Sequence, residues 1–482
     1  MRLRHNPGPM DIAMPLELPA GLPWLNAPAS SLHEQRGRVV ALAFVNAASA
    51  WSWQALRDMT QWQVRYPGRL QPLAVHVPRF DSERDPQRAL KQLRRQGISF
   101  PILHDGDWRV WQQFGIEQWP TILLVDAEGN ERGRAAGADA MAELERLLVA
   151  LCDALPAPDD ADARAAGESN GEPRLPLRFP AGIAATTDRL YVADSGHHRV
   201  LECNHAGRVL RQFGMGTADF VDGDLEQAAF RHPQGLSLVR ETLYVADTGN
   251  HALRRIQLRD GHVDTLCGNG RAGEPVEGLV ANPRTVALAQ PMAVAATNSE
   301  VHLALAGDNR IWTYGLGRGE LSRCAGSGPL EVRDGGAAIA AFAQPVGLLV
   351  VQQTLYVCDA LGSAVRSVQL RNGTVQTLVG QGPWEFGDAD GPREQARLQN
   401  PQAIALSPDA PLLWIADSGN GSLRTLRLGG GELATVALPR TLHGPAGLSV
   451  AAGAVWIAET DAHAVLRYDI ATGELSHVPI DE

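Results

Sequence analysis

Two serines, Ser49 and Ser52, stand three residues apart where an apolar run ends and a helix-like stretch begins. Hydroxyl groups in this place can cap the first turn of a helix by accepting main-chain N–H bonds. They could act as nucleophiles only with a histidine base and an oxyanion site, and His76 and His104 are the nearby candidates for the base. We expect helix capping for both serines and ordinary strand-end positions for both histidines.

Acidic and basic residues recur at fixed places in six repeats that fill residues 176–482. An acid ends the second apolar run of five repeats, and an arginine follows that place by five or seven positions: Asp194, Asp247, Asp359, Asp417 and Glu459, with Arg199, Arg310, Arg254, Arg366 and Arg424. Both offsets put the arginine on one face of a strand, because side chains alternate between faces. Residues repeated in every unit usually serve the fold. We expect Asp–Arg pairs that tie the turns together, with a ring of ligand-binding acids as the alternative.

A second ring of residues precedes the proline that begins each repeat. Its members are Phe179, His232, Gln290, Gln344, Asn400 and Gly444. We expect His232, Gln290, Gln344 and Asn400 to lie at the mouth of a central channel. Zinc would require several histidines and calcium several carboxylates, whereas this ring offers one histidine and no carboxylate. We therefore expect no metal and no cofactor, and a metal-dependent lyase or lactonase is kept as an alternative.

The repeats predict an all-β propeller. Each repeat begins at a proline followed by small and apolar residues: Pro180, Pro233, Pro291, Pro345, Pro401 and Pro445. A β-rich run such as Leu-Tyr-Val-Ala-Asp follows ten to twelve residues later, and two more strand-like runs complete the unit. Four strands in each of six units predict a six-bladed propeller.

The connections between repeats recur as well. Asp-Gly pairs at Asp222, Asp334 and Asp390 are typical of turns. Phe230 and Phe342, three residues before an anchor proline, are expected to plug the space between adjacent blades. Each repeat supplies its own fourth strand, so we expect blade packing instead of a shared strand to close the ring.

Residues 17–152 alternate strand and helix patterns in the order β–α–β–α–β–α–β–β–α, which predicts an α/β domain. The strand patterns include Val39–Val45, Leu73–Val77, Phe100–Leu103 and Ile122–Val125, and the helix patterns are Ser49–Arg65, Pro86–Arg95, Trp108–Phe114 and Ala138–Leu155. Residues 153–175 are rich in Ala, Asp, Pro and Gly and lack apolar periodicity. They predict a flexible linker to the second domain, residues 176–482.

Charge and composition narrow the class of protein. The 482-residue chain has a formal net charge of −11, which disfavours nucleic-acid binding because phosphate contacts need basic residues. No apolar run reaches the ~18 residues of a membrane span, and the first residues lack the apolar core of a signal peptide. The five cysteines form no Cys-x-x-Cys, which disfavours a disulfide framework and a zinc site. We expect a cytoplasmic protein that contacts neither nucleic acid nor membrane.

Both domains resemble known families. The runs Tyr244–His251 (YVADTGNH) and Trp414–Asn420 (WIADSGN) resemble the NHL repeat. Residues 17–152 resemble the thioredoxin-like fold: the triplet Trp119-Pro120-Thr121 stands where that fold keeps a cis-proline, and the corner after Val45 stands where it keeps Cys-x-x-Cys. With Trp24-Leu25-Asn26 before the first strand, this order is similar to the NHL repeat-containing protein 2 family.

The resemblance implies a thiol oxidoreductase, but Ser49 and Ser52 occupy the two cysteine positions of the corner. Disulfide exchange needs a thiolate, and a hydroxyl cannot form the mixed disulfide.

We therefore expect a non-catalytic interaction scaffold whose partner is a protein or peptide, with no oligomeric state assigned. Trp51, Trp119, Pro120 and Thr121 would line a peptide groove, in which the main chain of Trp119 and Thr121 pairs with an incoming strand. The two tryptophans would be exposed anchors or would pack in the core. A thiol oxidoreductase is the first alternative and the metal-dependent propeller enzyme the second.

Overall fold

The computed structural model describes residues 16–137, 141–156, 175–275 and 278–481. The chain divides into two units, Met1–Pro173 and Arg174–Glu482. Most of the expected linker, residues 157–174, lies outside the described residues, so its flexibility stays a prediction.

The first unit is an α/β fold built on one five-stranded sheet. Its elements are β1 (Val39–Val45), α1 (Ala50–Arg65), β2 (Leu70–His76), α2 (Pro86–Arg94), β3 (Ile102–His104), α3 (Arg109–Gln113), β4 (Thr121–Val125), β5 (Glu131–Ala136) and α4 (Met141–Asp153), with 3-10 turns at His33–Gln35 and Asp81–Arg84. The sheet order is β3-β2-β1-β4-β5, with β1 to β3 parallel and β4 and β5 antiparallel. This order of elements confirms the predicted one, with small shifts of the bounds.

Strand β1 is buried over its whole length because helices cover both faces of the sheet. Val39, Ala41, Ala43 and Val45 pack in one core cluster with residues of α1 and α4. The alternate residues Val40, Leu42 and Phe44 pack in a second cluster with residues of α3. An uninterrupted apolar run is what a strand covered on both faces requires.

The second unit is a propeller of six four-stranded sheets among the described residues. In chain order the blades are β6 to β9 (Pro180–Ala185, Leu190–Asp194, Arg199–Cys203, Val209–Phe213), β10 to β13 (Pro233–Val239, Thr242–Asp247, Ala252–Gln257, Val263–Cys267), β14 to β17 (Pro291–Ala296, Glu300–Leu305, Arg310–Gly315, Glu320–Ala325), β18 to β21 (Pro345–Val351, Thr354–Asp359, Ala364–Gln369, Thr374–Val379), β22 to β25 (Pro401–Leu406, Leu412–Asp417, Ser422–Arg427, Leu433–Thr435) and β26 to β29 (Pro445–Ala451, Ala454–Glu459, Ala464–Asp469, Leu475–Val478). Short 3-10 turns lie at Ser195–His197, Thr248–Asn250, Pro283–Thr285 and Thr460–Ala462. The prediction of six four-stranded blades is confirmed.

The blades form a closed ring in which each first strand contacts the next, including β26 with β6. No strand is shared between blades of the described chain, as the sequence predicts. Packing is not the whole closure, however, because the main-chain N–H of Val209 donates to Asp481 O at 3.0 Å. The same pairing of a connection with the outer strand of the following blade occurs at Gly223 with Val263.

The Asp-Gly pairs join adjacent blades, which corrects their interpretation as simple turns. Asp222 accepts hydrogen bonds from Arg254 Nη2 at 2.8 Å and from Thr265 Oγ1 at 2.7 Å, both in the following blade. Asp334 and Asp390 bind the equivalent arginine and threonine of their blades. Turn chemistry alone could not indicate these partners, because they lie more than thirty residues away along the chain.

Small residues let the first strands approach one another closely. The second residue after each anchor proline is glycine or alanine: Gly182, Gly235, Ala293, Gly347, Ala403 and Gly447. A Cβ atom on Gly182 would lie 2.0 Å from Gln234 O of the next blade. The cavity on the propeller axis is therefore narrow, about 70 Å³.

Candidate functional site

The corner between β1 and α1 carries both serines, and each hydroxyl accepts a main-chain hydrogen bond. Ser49 is the N-cap of α1, and its hydroxyl accepts a bond from the main-chain N–H of Ser52 at 3.4 Å. The fully buried Ser52 Oγ accepts from the main-chain N–H of Asn46 at 3.1 Å. The geometry thus supports the expected capping role for Ser49, whereas the Ser52 hydroxyl binds Asn46, which precedes the helix.

A buried carboxylate, Glu83, accepts hydrogen bonds from residues of the corner. It accepts main-chain N–H bonds from Ala48 at 3.1 Å, Arg79 at 2.8 Å and Phe80 at 3.0 Å, and a side-chain bond from Asn46 Nδ2 at 2.8 Å. Burial raises the pKa of Glu83, and these hydrogen bonds oppose that rise. Sequence reasoning missed this residue, because Glu83 lies in a run of charged residues that looks solvent-exposed.

His76 and His104 meet each other and not the serines. Their Nδ1 atoms lie 3.0 Å apart and their rings stack with centroids 5.2 Å apart. His104 Nε2 faces Arg84 O at 3.2 Å, so that nitrogen carries a proton. Burial lowers the pKa of His76 to about 3 and also lowers that of His104. Among the described residues neither ring hydrogen-bonds to a corner serine, so a serine-hydrolase arrangement is not assembled.

The loop before β4 lies at the same end of the sheet as the corner. The Trp119–Pro120 peptide bond is cis, as the resemblance implies. Thr121, the first residue of β4, pairs in register with Phe44, which lies near the end of β1. The end of β1 that leads into the corner and the start of β4 that follows the loop are therefore neighbours in the sheet.

Two details of the predicted groove need correction. Thr121 is buried between β1 and β5, and its hydroxyl donates to Gln118 O at 2.7 Å. Because strands flank Thr121 on both sides, its main chain does not offer a pairing position. The main-chain N–H of Gly137 also donates to Pro120 O, at 3.3 Å. Strand addition at this loop would therefore involve the main chain of Trp119.

Aromatic side chains form a platform beside the loop. The Trp119 ring lies 5.1 Å from that of Trp108 and 4.7 Å from that of Trp111. Trp108 and Trp119 are half-buried, as is Trp51 at the start of α1. The predicted anchors Trp51 and Trp119 thus pack partly into the unit instead of standing fully exposed.

The residues before the anchor prolines clasp neighbouring blades, which corrects their expected place at a channel mouth. All six have left-handed backbones, with φ between 50° and 66°. The N–H groups of His232, Gln290, Gln344 and Asn400 donate to His198, His251, Asn309 and Ser363 of the preceding blade. The axial cavity is lined instead by the three residues after each proline. A left-handed conformation is not visible in the sequence of these non-glycine positions.

The predicted Asp–Arg pairs are present in four blades. The oxygen–nitrogen distances are 2.8 Å for Asp194–Arg199, 2.8 Å for Asp247–Arg254, 3.1 Å for Asp359–Arg366 and 3.0 Å for Asp417–Arg424. In the two departing blades Arg310 pairs with Asp308, and Glu459 pairs with Arg440. All five repeated acids are fully buried, which supports the structural interpretation over a ring of ligand-binding acids.

The axial cavity is smaller than a typical ligand site. Ligand sites commonly enclose about 300–1,000 Å³, and this cavity of about 70 Å³ is far smaller. Within the described ranges no group of three or more His, Cys, Asp or Glu side chains is placed to hold a metal ion.

Known proteins resemble both units. An NHL repeat model matches residues 177–203. The protein SUPPRESSOR OF QUENCHING 1, chloroplastic, of Arabidopsis thaliana is 30% identical over 511 residues, covering 96% of this chain and 47% of its own length. NHL repeat-containing protein 2 of Homo sapiens is 29% identical over 525 residues, covering 98% of this chain and 72% of its own length.

The chain is similar over nearly all of its length to NHL repeat-containing protein 2 of Homo sapiens, Bos taurus and Gallus gallus. It spans less than half of the plant relative, whose remaining length has no counterpart in the alignment. The thiol-disulfide oxidoreductase YkuV of Bacillus subtilis is 25% identical over 140 residues, which are 29% of this chain and 95% of that protein.

The cysteines of this chain have the properties of structural thiols. All five are free, and four of them are buried. Burial raises the pKa of Cys152 to about 11 and that of Cys203 and Cys267 to about 12, and it raises the pKa of Cys324 and Cys358 as well. Reactive thiols show the opposite shift.

Among the residues placed by the structure, no helix is both long and apolar enough to cross a membrane.

Proposed function

We propose that this protein is a non-catalytic interaction scaffold, with a redox-inactive thioredoxin-like unit and a propeller that serves as a platform. The observation that carries the proposal is the corner, where Ser49 and Ser52 stand in place of two thiols. The Ser49 hydroxyl caps α1, and the Ser52 hydroxyl accepts the main-chain N–H of Asn46. The corner keeps its geometry without holding a nucleophile for disulfides.

The remaining thiols support the same proposal. Disulfide exchange begins with a thiolate, and the pKa of every cysteine is raised by burial. Cys152, the one cysteine of residues 17–152, is fully buried in α4. A thiol oxidoreductase, the first alternative, would need one of these groups to ionise near neutral pH.

We place the partner's binding site at the cis-proline loop and the tryptophan platform beside it. Half-buried tryptophans combine a large apolar surface with a ring N–H, which is why they anchor many interfaces. An extended segment of a protein or peptide could pair with the Trp119 main chain and cover Trp108. The net charge of −11 favours a protein partner over a nucleic acid, and we propose a cytoplasmic location.

Insulin reduction with dithiothreitol and purified full-length protein tests the redox half of the proposal. The wild type should give no rate above the background, and the double variant Ser49→Cys/Ser52→Cys should gain one. The Ser49→Cys variant alone is the control, because it supplies no second thiol to resolve the mixed disulfide. Reduction by the wild type would overturn the redox half.

Affinity selection from a random peptide library tests the binding half. Selected peptides should lose affinity for Trp119→Ala and keep it for Trp384→Ala, which removes a tryptophan 60% exposed on the propeller. Peptides that lose equal affinity for both variants would contradict the groove. Metal analysis of the same purified protein separates the second alternative, a metal-dependent propeller enzyme.

A further inference from the structure

Two positions at the contacts between blades depart from six-fold repetition in one sector. The residues two before each anchor proline are, in chain order, Arg178, Arg231, Ala289, Ala343, Gln399 and His443. The residues four after the end of each second strand are His198, His251, Asn309, Ser363, Gly421 and His463. Basic and imidazole side chains thus fall on the sixth, first and second blades, which adjoin in the closed ring. Asn309 and Ser363 accept the same inter-blade N–H bond as His198 and His251, so that bond does not require an imidazole in this sector.

Arginine and histidine side chains of the first two blades lie at the end of the propeller where second strands end and first strands begin. The His198 and His232 rings meet edge to face with centroids 4.5 Å apart. The Arg178 and Arg231 stems cover Gly196 and Gly249, where an added Cβ would lie 2.6 Å from each arginine Cγ. Burial first, and then the charges of Arg231 and Arg178, lower the pKa of His198 to about 4.

The tautomer of His198 makes it a hydrogen-bond donor. The main-chain N–H of His232 donates to His198 Nδ1 at 3.2 Å, so Nδ1 is the acceptor and the ring proton sits on Nε2. This Nε2–H has no hydrogen-bond acceptor among the described residues. With its lowered pKa, the ring stays neutral at pH 7 and keeps this donor.

The guanidinium of Arg231 lacks a carboxylate partner within the described chain, although its main-chain N–H donates to Asp247 at 2.8 Å. The guanidinium makes one long contact, from Nη2 to Ala218 O at 3.5 Å, and its buried Nε has no acceptor there. The buried acids that accept the main-chain N–H groups of Arg178 and Arg231 already have arginine partners, Asp194 with Arg199 and Asp247 with Arg254. A half-buried guanidinium without a counter-charge favours an anion from outside the chain.

We propose that Arg178, Arg231 and the Nε2–H of His198 form an oxyanion-binding site that takes a carboxylate or a phosphate group. Guanidinium groups bind both anions through paired N–H donors, and an imidazole N–H adds a fixed third donor. The group could belong to an acidic side chain of a protein or to a phosphate ester. The site lies in the propeller and does not depend on the groove of the first unit.

Calorimetric titration of the full-length protein tests the site with two probes, inorganic phosphate and a capped hexaglutamate peptide. Arg231→Gln and Arg178→Gln should each raise the Kd of the probe that binds about tenfold or more. Arg318→Gln is the matched control, because its side chain is 83% exposed on a turn at the opposite end of a blade. Unchanged melting temperatures show that the variants are folded.

Each outcome decides one point. Binding of phosphate assigns a phosphate-type ligand, and binding of the peptide alone assigns an acidic protein segment. Failure of both probes to bind the wild type at millimolar concentration overturns the proposal. Equal weakening by Arg318→Gln also overturns it, because the attraction would then be general electrostatics.

Discussion

Replacing Arg254 by methionine should destabilise the propeller far more than the same change at its neighbour Arg255. The Arg254 side chain is fully buried, and its Nη1 donates to Asp247 at 2.8 Å. Its Nη2 donates to Asp222 at 2.8 Å, which ties one connection to the next blade. Phe230 is the residue expected to fill the space between these blades, and the guanidinium carbon lies 5.1 Å from its ring centroid.

The expected destabilisation follows from the Asp247 charge, which the substitution leaves without a partner. Methionine fills the space of the stem, but it leaves the fully buried Asp247 carboxylate without its cation. Breaking a buried pair on one side costs about 3–5 kcal/mol, and about 2 °C per kcal/mol then predicts a melting point lower by about 6–10 °C. Arg255 lies on the other face, is 33% exposed and pairs with Asp264 at 2.8 Å. Such a pair contributes about 1 kcal/mol or less.

Differential scanning calorimetry of the full chain measures the effect, and the larger unfolding enthalpy identifies the propeller transition. Adding Asp247→Asn to Arg254→Met should recover part of the loss, since the uncompensated charge is then removed. The reasoning fails if Arg254→Met costs no more than Arg255→Met. It also fails if the second change deepens the loss by the full cost of Asp247→Asn alone.

Three further predictions concern packing, pH and thiols. Gly182→Ala places a Cβ 2.0 Å from Gln234 O and should cost about 1–3 kcal/mol or more in urea unfolding, while Gly317→Ala, with open space around it, should be almost neutral. Burial lowers the pKa of His302 to about 4, against about 6.5 unfolded. The contribution of the neutral His302 ring to the free energy of unfolding is therefore complete above pH ~6.5 and is lost as the pH falls toward 4. Between pH 7 and pH 5 the wild type should lose about 2 kcal/mol more unfolding free energy than His302→Gln. Ellman's reagent should label the native thiols slowly and all five rapidly in guanidinium, and fast native labelling of Cys152, identified by mass spectrometry, would contradict the raised pKa.

The blades could be predicted from the sequence because the anchor proline and the β-rich run after it occur six times. One apolar run is ambiguous, but runs that follow Pro180, Pro233 and the other anchors at nearly constant distance indicate strands. Repetition also explains the success with the Asp–Arg pairs, where two different offsets share one strand face. The α/β unit was predictable for another reason, since β1 is covered on both faces and therefore reads as one apolar run.

Contacts between repeats could not be predicted in the same way. Periodicity shows that Asp222 and His232 stand at recurring positions, but it does not show which atoms face them across a blade boundary. Asp222 binds Arg254, 32 residues away, and the His232 N–H binds His198, 34 residues away. The left-handed backbone that turns His232 toward its neighbour is set by those contacts and not by local preference.

Glu83 links these limits to the proposed function. A carboxylate this deeply buried is unfavourable unless its acceptors are satisfied, and four donors from two chain segments satisfy it. Capping α1 requires only Ser49 at its N-terminus, whereas Glu83 also fixes Ala48 and Asn46 before the helix begins. The hydrogen bonds at this corner therefore hold its surface in one shape. A preorganised surface lowers the cost of ordering a partner, which is the property that a binding scaffold needs and a helix cap alone does not.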